Sequence, residues 1–377
     1  MNFDLTDERR MLQDGLRRYL RDTCTPAQRM QAAETEHGHV PGLWDGLAEM
    51  GVIGALFSED DGGFGGAGFD IAVVFEELGR AGAVEPLIDT AILGGGLLAA
   101  LGDPAQKPLV EAVIAGRAHL AFAHGEPGSR YDLARVATTG RATGTGYVLN
   151  GQKAVVVNAA AADHLIVSAR TGGEVGATDG ISLFVIPKGC KGVSLRAYPL
   201  VGGGHAAEIT LEDVSLPQSA LLGTEGGAYS AIELANARAT AAICAEALGL
   251  METIRDLTTD YLKTRKQFGQ PIGKFQALQH RMADMLVEIE QARSAVINLA
   301  GHLDGPADHR EVHVSAAKNL IGQTAKLVTE DSLQMHGAIG MTMEYDLGHL
   351  VRRLVMVDHR FGDTLHHLER FIARAVA

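Results

Sequence analysis

The stretch Tyr261-Leu262-Lys263-Thr264-Arg265-Lys266-Gln267-Phe268-Gly269-Gln270-Pro271-Ile272-Gly273-Lys274-Phe275-Gln276 joins two long helical patterns, at about 228 to 264 and 274 to 303. Its side chains suit one end of a dinucleotide. The Arg265 guanidinium can pair with pyrophosphate oxygens, the Phe268 ring can lie against adenine or ribose, and Gln267 and Gln276 offer amides. Taken without its surroundings, the same stretch is a surface cation and an aromatic residue at a helix end.

Working outward, helical periodicity continues at about 308 to 336 and 345 to 375, enough with the first two segments for an antiparallel four-helix bundle. Upstream, between His119 and Pro217, short apolar runs are separated by turn residues: Tyr147-Val148-Leu149, Val155-Val156-Val157, Leu165-Ile166-Val167, Ile181 to Ile186 and Ile209-Thr210-Leu211. They predict a β domain. Asn150-Gly151, between the first two runs, predicts a two-residue hairpin turn, because both turn positions require positive φ. From Leu5 to about Gly116 the pattern is helical, with Leu12, Leu16, Tyr19 and Leu20 at 3.6-residue spacing, Thr6 placed to cap the first helix, and stripes at Leu43 to Met50 and Ile71 to Leu78. The expected fold class is α+β: an N-terminal all-α domain over 1–116, a middle β-barrel-like domain over 117–223 and a C-terminal four-helix bundle over 224–377.

At 377 residues, 46% hydrophobic and 21% charged, the chain can fill two or three cores. A net charge of -13 argues against a nucleic-acid backbone binder. Cys24, Cys190 and Cys244 are far apart with no CxxC, which suits a reducing cytoplasm. Met1-Asn2-Phe3-Asp4 lacks a signal-peptide pattern, and the longest uncharged stretch, Thr90 to Gly102, is shorter than the roughly 20 residues of a membrane span. The expected location is therefore cytoplasmic. Gly63-Phe64-Gly65-Gly66-Ala67-Gly68 matches GxGxxG, with Glu85 near the ribose-binding spacing, but no βαβ alternation surrounds it and it reads as a connector between helices. His349, His359, His366 and His367 crowd the C-terminal segments, yet no HExxH or paired His/Cys spacing occurs and no metal site is expected. GxSxG and Walker motifs are also absent. Glu252 and Glu288 read as solvated helix-face residues.

The Tyr261 stretch resembles the acyl-CoA dehydrogenase signature RxQFGxPIxxFQxxQ, and Gln334-Met335-His336-Gly337-Ala338-Ile339-Gly340 resembles the family's QxxGGxG turn, with Ala338 in place of one glycine. Leu211-Glu212-Asp213-Val214 with Leu221-Leu222-Gly223, and Asp61-Gly62-Gly63 followed by Phe75-Glu76-Glu77-Leu78-Gly79-Arg80, are weaker matches at their proper places. The resemblance thus spans all three expected domains. It implies FAD as cofactor, an acyl-CoA substrate and an electron-transfer flavoprotein as acceptor. It also implies that Arg265, Gln267, Phe268, Gln276, Gln334 and Gly337 reach the ADP half of an FAD whose ring belongs to a neighbouring subunit.

The elements that hold ring and thioester in the family are altered here. Gly125-Glu126-Pro127 lacks the Thr of a Thr-Glu-Pro element, Arg130-Tyr131-Asp132 stands where Gly-Ser-Asp is usual, and Val157 replaces the Thr before Asn158. The reaction removes the α-proton to a carboxylate while the β-hydrogen leaves as hydride. The resemblance places that base at Gly362, within Phe361-Gly362-Asp363-Thr364, and its alternative location at about Ala239; neither is a carboxylate. Asp363 is one residue off, and Glu246 lies about two turns beyond Ala239. A misplacement of ~1 Å can cost ~100-fold in rate, so these two are only fallback bases. The expectation is a chain with no catalytic residue of its own, similar to the small subunits of heteromeric pimeloyl-CoA and steroid-CoA dehydrogenases. By that resemblance it shares FAD with a homologous Glu-bearing subunit in an α2β2 heterotetramer, acting on a bulky acyl-CoA of lipid or steroid catabolism. A self-sufficient homomeric dehydrogenase and a non-enzymatic acyl-CoA-binding or assembly subunit stay open as alternatives.

Overall fold

The structure, a computed structural model, describes residues 5–32 and 34–375; the tetrapeptide Met1-Asn2-Phe3-Asp4 lies outside them. The helices α1 (Asp7–Thr23), α2 (Pro26–Ala32), α3 (Leu43–Glu49), α4 (Gly68–Ala81), α5 (Gly96–Leu101) and α6 (Lys107–Ile114) come first. Thr6 caps α1 as expected: its Oγ1 accepts the Arg9 N–H at 3.3 Å, and Asp7 and Glu8 in the first turn complement the helix dipole. Residues Ile88–Gly95 wind with the wider π-type turn, inside the region read as simply helical. Gly63 to Gly68 is a connector leading into α4, with no strand before it.

Eight strands follow: β1 (Leu120–Ala123), β2 (Thr139–Thr143), β3 (Gly146–Val157), β4 (His164–Arg170), β5 (Ile181–Pro187), β6 (Val193–Pro199), β7 (His205–Pro217) and β8 (Leu221–Leu222). They form one sheet in the order β6-β7-β3-β2-β4-β5-β8, with β1 beside β4. The hairpin expected at Asn150-Gly151 is not there. β3 runs straight through that pair, and the chain reverses at Gly144-Thr145 instead, where Thr143 and Gly146 face each other. Asn150 is engaged across the sheet: its Nδ2 donates to Asp213 Oδ1 at 3.0 Å and its Oδ1 accepts the Asp213 N–H at 2.8 Å. The ladder with β7 shifts register there, with the extra residue on β7, where Glu212 and Asp213 stand opposite Asn150 as a bulge. Leu149, Leu165, Val167, Phe184, Ile186, Ile209 and Leu211 fill the core of this sheet, and Tyr147 stands edge-on to Phe184 at 4.9 Å.

The C-terminal part comprises α7 (Tyr229–Thr264), β9 (Lys266–Gln267), β10 (Gln270–Pro271), α8 (Gln276–His302), α9 (Ala307–His336), α10 (Asp346–Asp358) and α11 (Thr364–Ala375). The single helix expected over 345 to 375 is therefore two, broken between Asp358 and Thr364 where Phe361 and Gly362 take positive φ. No helix among the described residues is long and apolar enough to cross a membrane.

The chain divides into two compact units, one of Met1–Met30, Ala67–Ala83 and Thr240–Ala377, the other of Gln31–Gly66 and Val84–Ala239. Ion pairs stitch the three segments of the first unit together. Arg9 meets Asp70 at 2.7 Å, Arg17 grips Glu77 through Nε at 2.9 Å and Nη2 at 2.5 Å, and Glu252 pairs with both Arg80 and Arg293. Glu252 is thus buried and not the solvated residue its spacing suggested, because guanidiniums from α4 and α8 converge on it. Removing a buried carboxylate strands its cations. Glu252→Ala is expected to lower stability by about 3 kcal/mol, and Glu288→Ala by under about 0.5 kcal/mol, read as shifts in urea midpoint.

Candidate functional site

At the end of α7, β9 and β10 pair through Gln267 with Gln270 and Lys266 with Pro271. The tight turn between them, Phe268-Gly269, has both φ positive, at 52° and 79°. Phe268 is 90% exposed, its ring edge-on to Phe275 at 6.1 Å. A large apolar ring held in water on a positive-φ residue is unfavourable on both counts, as expected of a surface that serves a ligand or partner. Arg281 of α8 meets Asp331 of α9 at 2.6 Å, and Tyr261 stacks on His336 at 4.5 Å. His336 Nδ1 donates to the Ser332 carbonyl at 2.9 Å, leaving Nε2 to accept the Tyr345 hydroxyl at 3.4 Å. Burial lowers the pKa of His336, which favours this neutral form.

These contacts gather the C-terminal ends of α7 and α9 and the N-terminal end of α8. Arg265, Gln267, Phe268, Gln276, Gln334 and Gly337 are thereby brought to one end of the helical unit, all of them exposed. Gly337 closes α9 at φ 68° and ψ -147°, a conformation reserved for glycine, with open space where a side chain would be. Among the described residues the Arg265 guanidinium has no ion-pair partner. A free guanidinium, an exposed ring, amides and an uncluttered backbone turn fit the adenosine pyrophosphate end of FAD. Sequence reasoning missed Tyr261, His336 and Tyr345, which hold this end together; His336 sits inside the Gln334 motif and was the available signal.

The Phe361-Gly362 break is fixed from below. Lys318, wholly buried on α9, donates from Nζ to the Gly362 carbonyl at 2.7 Å. Burial lowers the Lys318 pKa, opposed by Cys244, Asp358 and Asp363; burial in turn pushes the Cys244 thiol up to about 12. Gly362 has φ 112°, and a Cβ there would stand 2.5 Å from His367 Nε2 and 2.6 Å from His366 Cδ2. His367 Nε2 donates to the Phe361 carbonyl at 2.9 Å, and burial brings its pKa down to about 3. Both candidate substitutes are occupied. Asp363 Oδ1 accepts the His366 N–H at 2.8 Å and caps α11, while Glu246 is buried against Arg353 Nε at 2.7 Å. Ala239 is a buried alanine.

In the sheet unit, Glu126 accepts the N–H groups of Ala137 and Thr138 at 2.7 and 3.0 Å and pairs with Lys153 Nζ at 2.7 Å. Lys153 is fully buried and also donates to Ser168 Oγ at 3.0 Å; burial lowers its pKa to about 8 against the pull of Glu126. Beyond it β3 bulges, and Val155, 57% exposed, takes φ 53°, which is rare for a β-branched residue. Val157 is half-buried, with no hydroxyl to offer, and Asn158 turns inward to Thr90 Oγ1 at 3.3 Å. Arg130 lies over the Tyr131 ring at 5.9 Å. Among the described residues no three His, Cys, Asp or Glu are placed to hold a metal ion.

Models of the acyl-CoA dehydrogenase N-terminal, middle and C-terminal domains match residues 6–116, 121–214 and 225–375. The probable acyl-CoA dehydrogenase YngJ of Bacillus subtilis is 30% identical over 99% of this chain and 98% of its own length. Benzylmalonyl-CoA dehydrogenase of Aromatoleum aromaticum is 30% identical over the whole of both chains. Among solved structures, butyryl-CoA dehydrogenase from Megasphaera elsdenii is 27% identical with TM-score 0.89, covering all of both chains. The Tcur3481-Tcur3483 steroid ACAD variant is 29% identical with TM-score 0.87, covering 98% of each. Matched from end to end in three consecutive domains, the chain belongs to the acyl-CoA dehydrogenase family of FAD-dependent oxidoreductases.

Proposed function

We propose that this chain is the non-catalytic subunit of a heteromeric acyl-CoA dehydrogenase, lending Arg265, Gln267, Phe268, Gln276, Gln334 and Gly337 to an FAD whose ring and substrate pocket belong to a homologous, Glu-bearing partner. The observation that carries this reading is the Gly362 turn. Its carbonyl is bound to Lys318, its conformation is disfavoured for a side chain, and His366 and His367 occupy the space a carboxylate would need. A base is indispensable to removal of the α-proton, and in this chain its position is built over. The two fallback carboxylates, Asp363 and Glu246, already hold a helix end and a buried arginine.

FAD, when bound, supplies the acceptor for the β-hydride. This chain's part is binding: the Arg265 guanidinium neutralises pyrophosphate charge, Phe268 covers adenine or ribose, and the amides of Gln267, Gln276 and Gln334 fix orientation. α-Proton removal falls to the partner's carboxylate, and the electrons pass on to an electron-transfer flavoprotein. The likeness to a heteromeric steroid ACAD supports α2β2 assembly and a bulky acyl-CoA of lipid or steroid catabolism, by analogy of scaffold.

Co-expression with a Glu-bearing homologue is expected to give a complex with about one flavin per heterodimer and acyl-CoA turnover, and this chain alone neither. A chain that alone keeps one flavin and turns over an acyl-CoA would overturn the reading. In the mixed complex, Arg265→Ala is expected to weaken flavin retention at least about tenfold. Asp363→Asn, which keeps the cap, should leave turnover within about twofold, while Asp363→Ala should cost about 1 kcal/mol of stability.

A further inference from the structure

Four histidines meet in the sheet unit. His37 and His39 lie between α2 and α3, His119 stands just before β1, and His205 opens β7 after the Gly202-Gly203-Gly204 turn. The rings of His37 and His39 are 6.4 Å apart, centre to centre. Gly38 passes so close to His205 that a Cβ on it would lie 2.7 Å from His205 Nδ1. His39 is within electrostatic reach of His37, His119 and His205, and His119 of His37. Nδ1 of His37, of His119 and of His205 is buried without a hydrogen-bond partner. The chain's one tryptophan, Trp44, lies 4.3 Å from the His119 ring.

Compensating charge is scarce around this group. Asp45 of α3 and Asp163 before β4 face His119, and Asp163 Oδ2 already accepts the His119 N–H at 2.8 Å. Glu85 is turned to the N–H groups of Val40 at 2.9 Å and Val84 at 3.1 Å. The Lys188 ammonium rests on the Ala160 carbonyl. The cluster also backs onto the end of β3: the Asn158 N–H donates to the His205 carbonyl at 2.9 Å, and Val157 pairs with Ala206.

We propose that these four imidazoles form an acid-sensitive latch, which holds the His37–Val40 segment against the starts of β1 and β7 and releases it when His39 and His119 take up protons. Closed, three of the rings keep a buried, unpartnered Nδ1, and protonation of His39 and His119 places like charges against one another in a partly desolvated site. Burial, with the other three rings, holds the His39 pKa down to about 4, against an ordinary value of 6.5. The open segment therefore binds protons first, so docking is fully favoured above about pH 6.5 and is lost as pH falls toward 4. Because His205 carries the end of β3, release loosens the backbone at Val157 and Asn158.

Hydrogen exchange of the full chain, corrected for intrinsic rates, and Trp44 emission test this between about pH 7.5 and pH 4.5. Amide protection of the His37–Val40 segment is expected to fall at least about tenfold, while β4 keeps its protection and Trp44 emission drops as His119 becomes cationic. In His39→Asn/His205→Asn the loss of protection should shrink to under about twofold. Should that pair fail to fold, His37→Asn alone is expected to move the Trp44 transition to higher pH, because the His37 ring holds the His119 pKa down. Protection unchanged on acidification, a loss equal in the variants, an unshifted transition, or β4 opening together with the segment would each overturn the latch.

Discussion

A buried ammonium must find acceptors or give up its charge, and Lys318 finds one in the carbonyl of Gly362. That contact fixes a turn which separates α10 from α11 and leaves room for no side chain at position 362. Its surroundings are consistent with it: His367 closes on the Phe361 carbonyl, Asp358 takes the N–H and hydroxyl of Thr364 at 3.0 and 2.7 Å, and Asp363 caps the new helix. Restoring a carboxylate would require rebuilding this turn, not a single substitution.

The end of the same helical unit where α7 and α9 finish has the reverse character. Groups around the Phe268 hairpin and the Gly337 turn are exposed and unpaired, and an internal stack of Tyr261, His336 and Tyr345 supports them. One unit therefore combines a closed turn at Gly362 with an exposed set of groups whose chemistry suits a nucleotide. That asymmetry favours a subunit that lends binding energy to a neighbour. The guanidinium and carboxylate pairs that unite α1, α4 and the C-terminal helices hold together segments far apart in the sequence.

Much of this was legible in the sequence because it is local. The Arg265 to Gln276 stretch carries its chemistry contiguously, and the glycine at 362 needs only a count of positions. What was hidden depends on partners distant in the chain. Lys318 acts 44 residues from Gly362, from within an ordinary helical pattern. Glu252 follows solvent-facing spacing, and only the arrival of Arg80 and Arg293 buries it. Asn150-Gly151 has the residues of a hairpin turn, but pairing with β7 on both sides overrides the local preference. β2 escaped notice because Thr139 to Thr143 is mostly exposed and carries no apolar alternation.

The central claim, that this chain has no working base, is tested most directly by proton exchange at the substrate. The chain purified alone, given excess FAD and a panel of acyl-CoA thioesters in deuterated buffer, can be followed by mass spectrometry for deuterium at the α-carbon. The account predicts incorporation no faster than without protein, and a marked acceleration once a Glu-bearing homologue completes the complex. Rapid exchange by the lone chain, abolished by Asp363→Asn or Glu246→Gln, would contradict it.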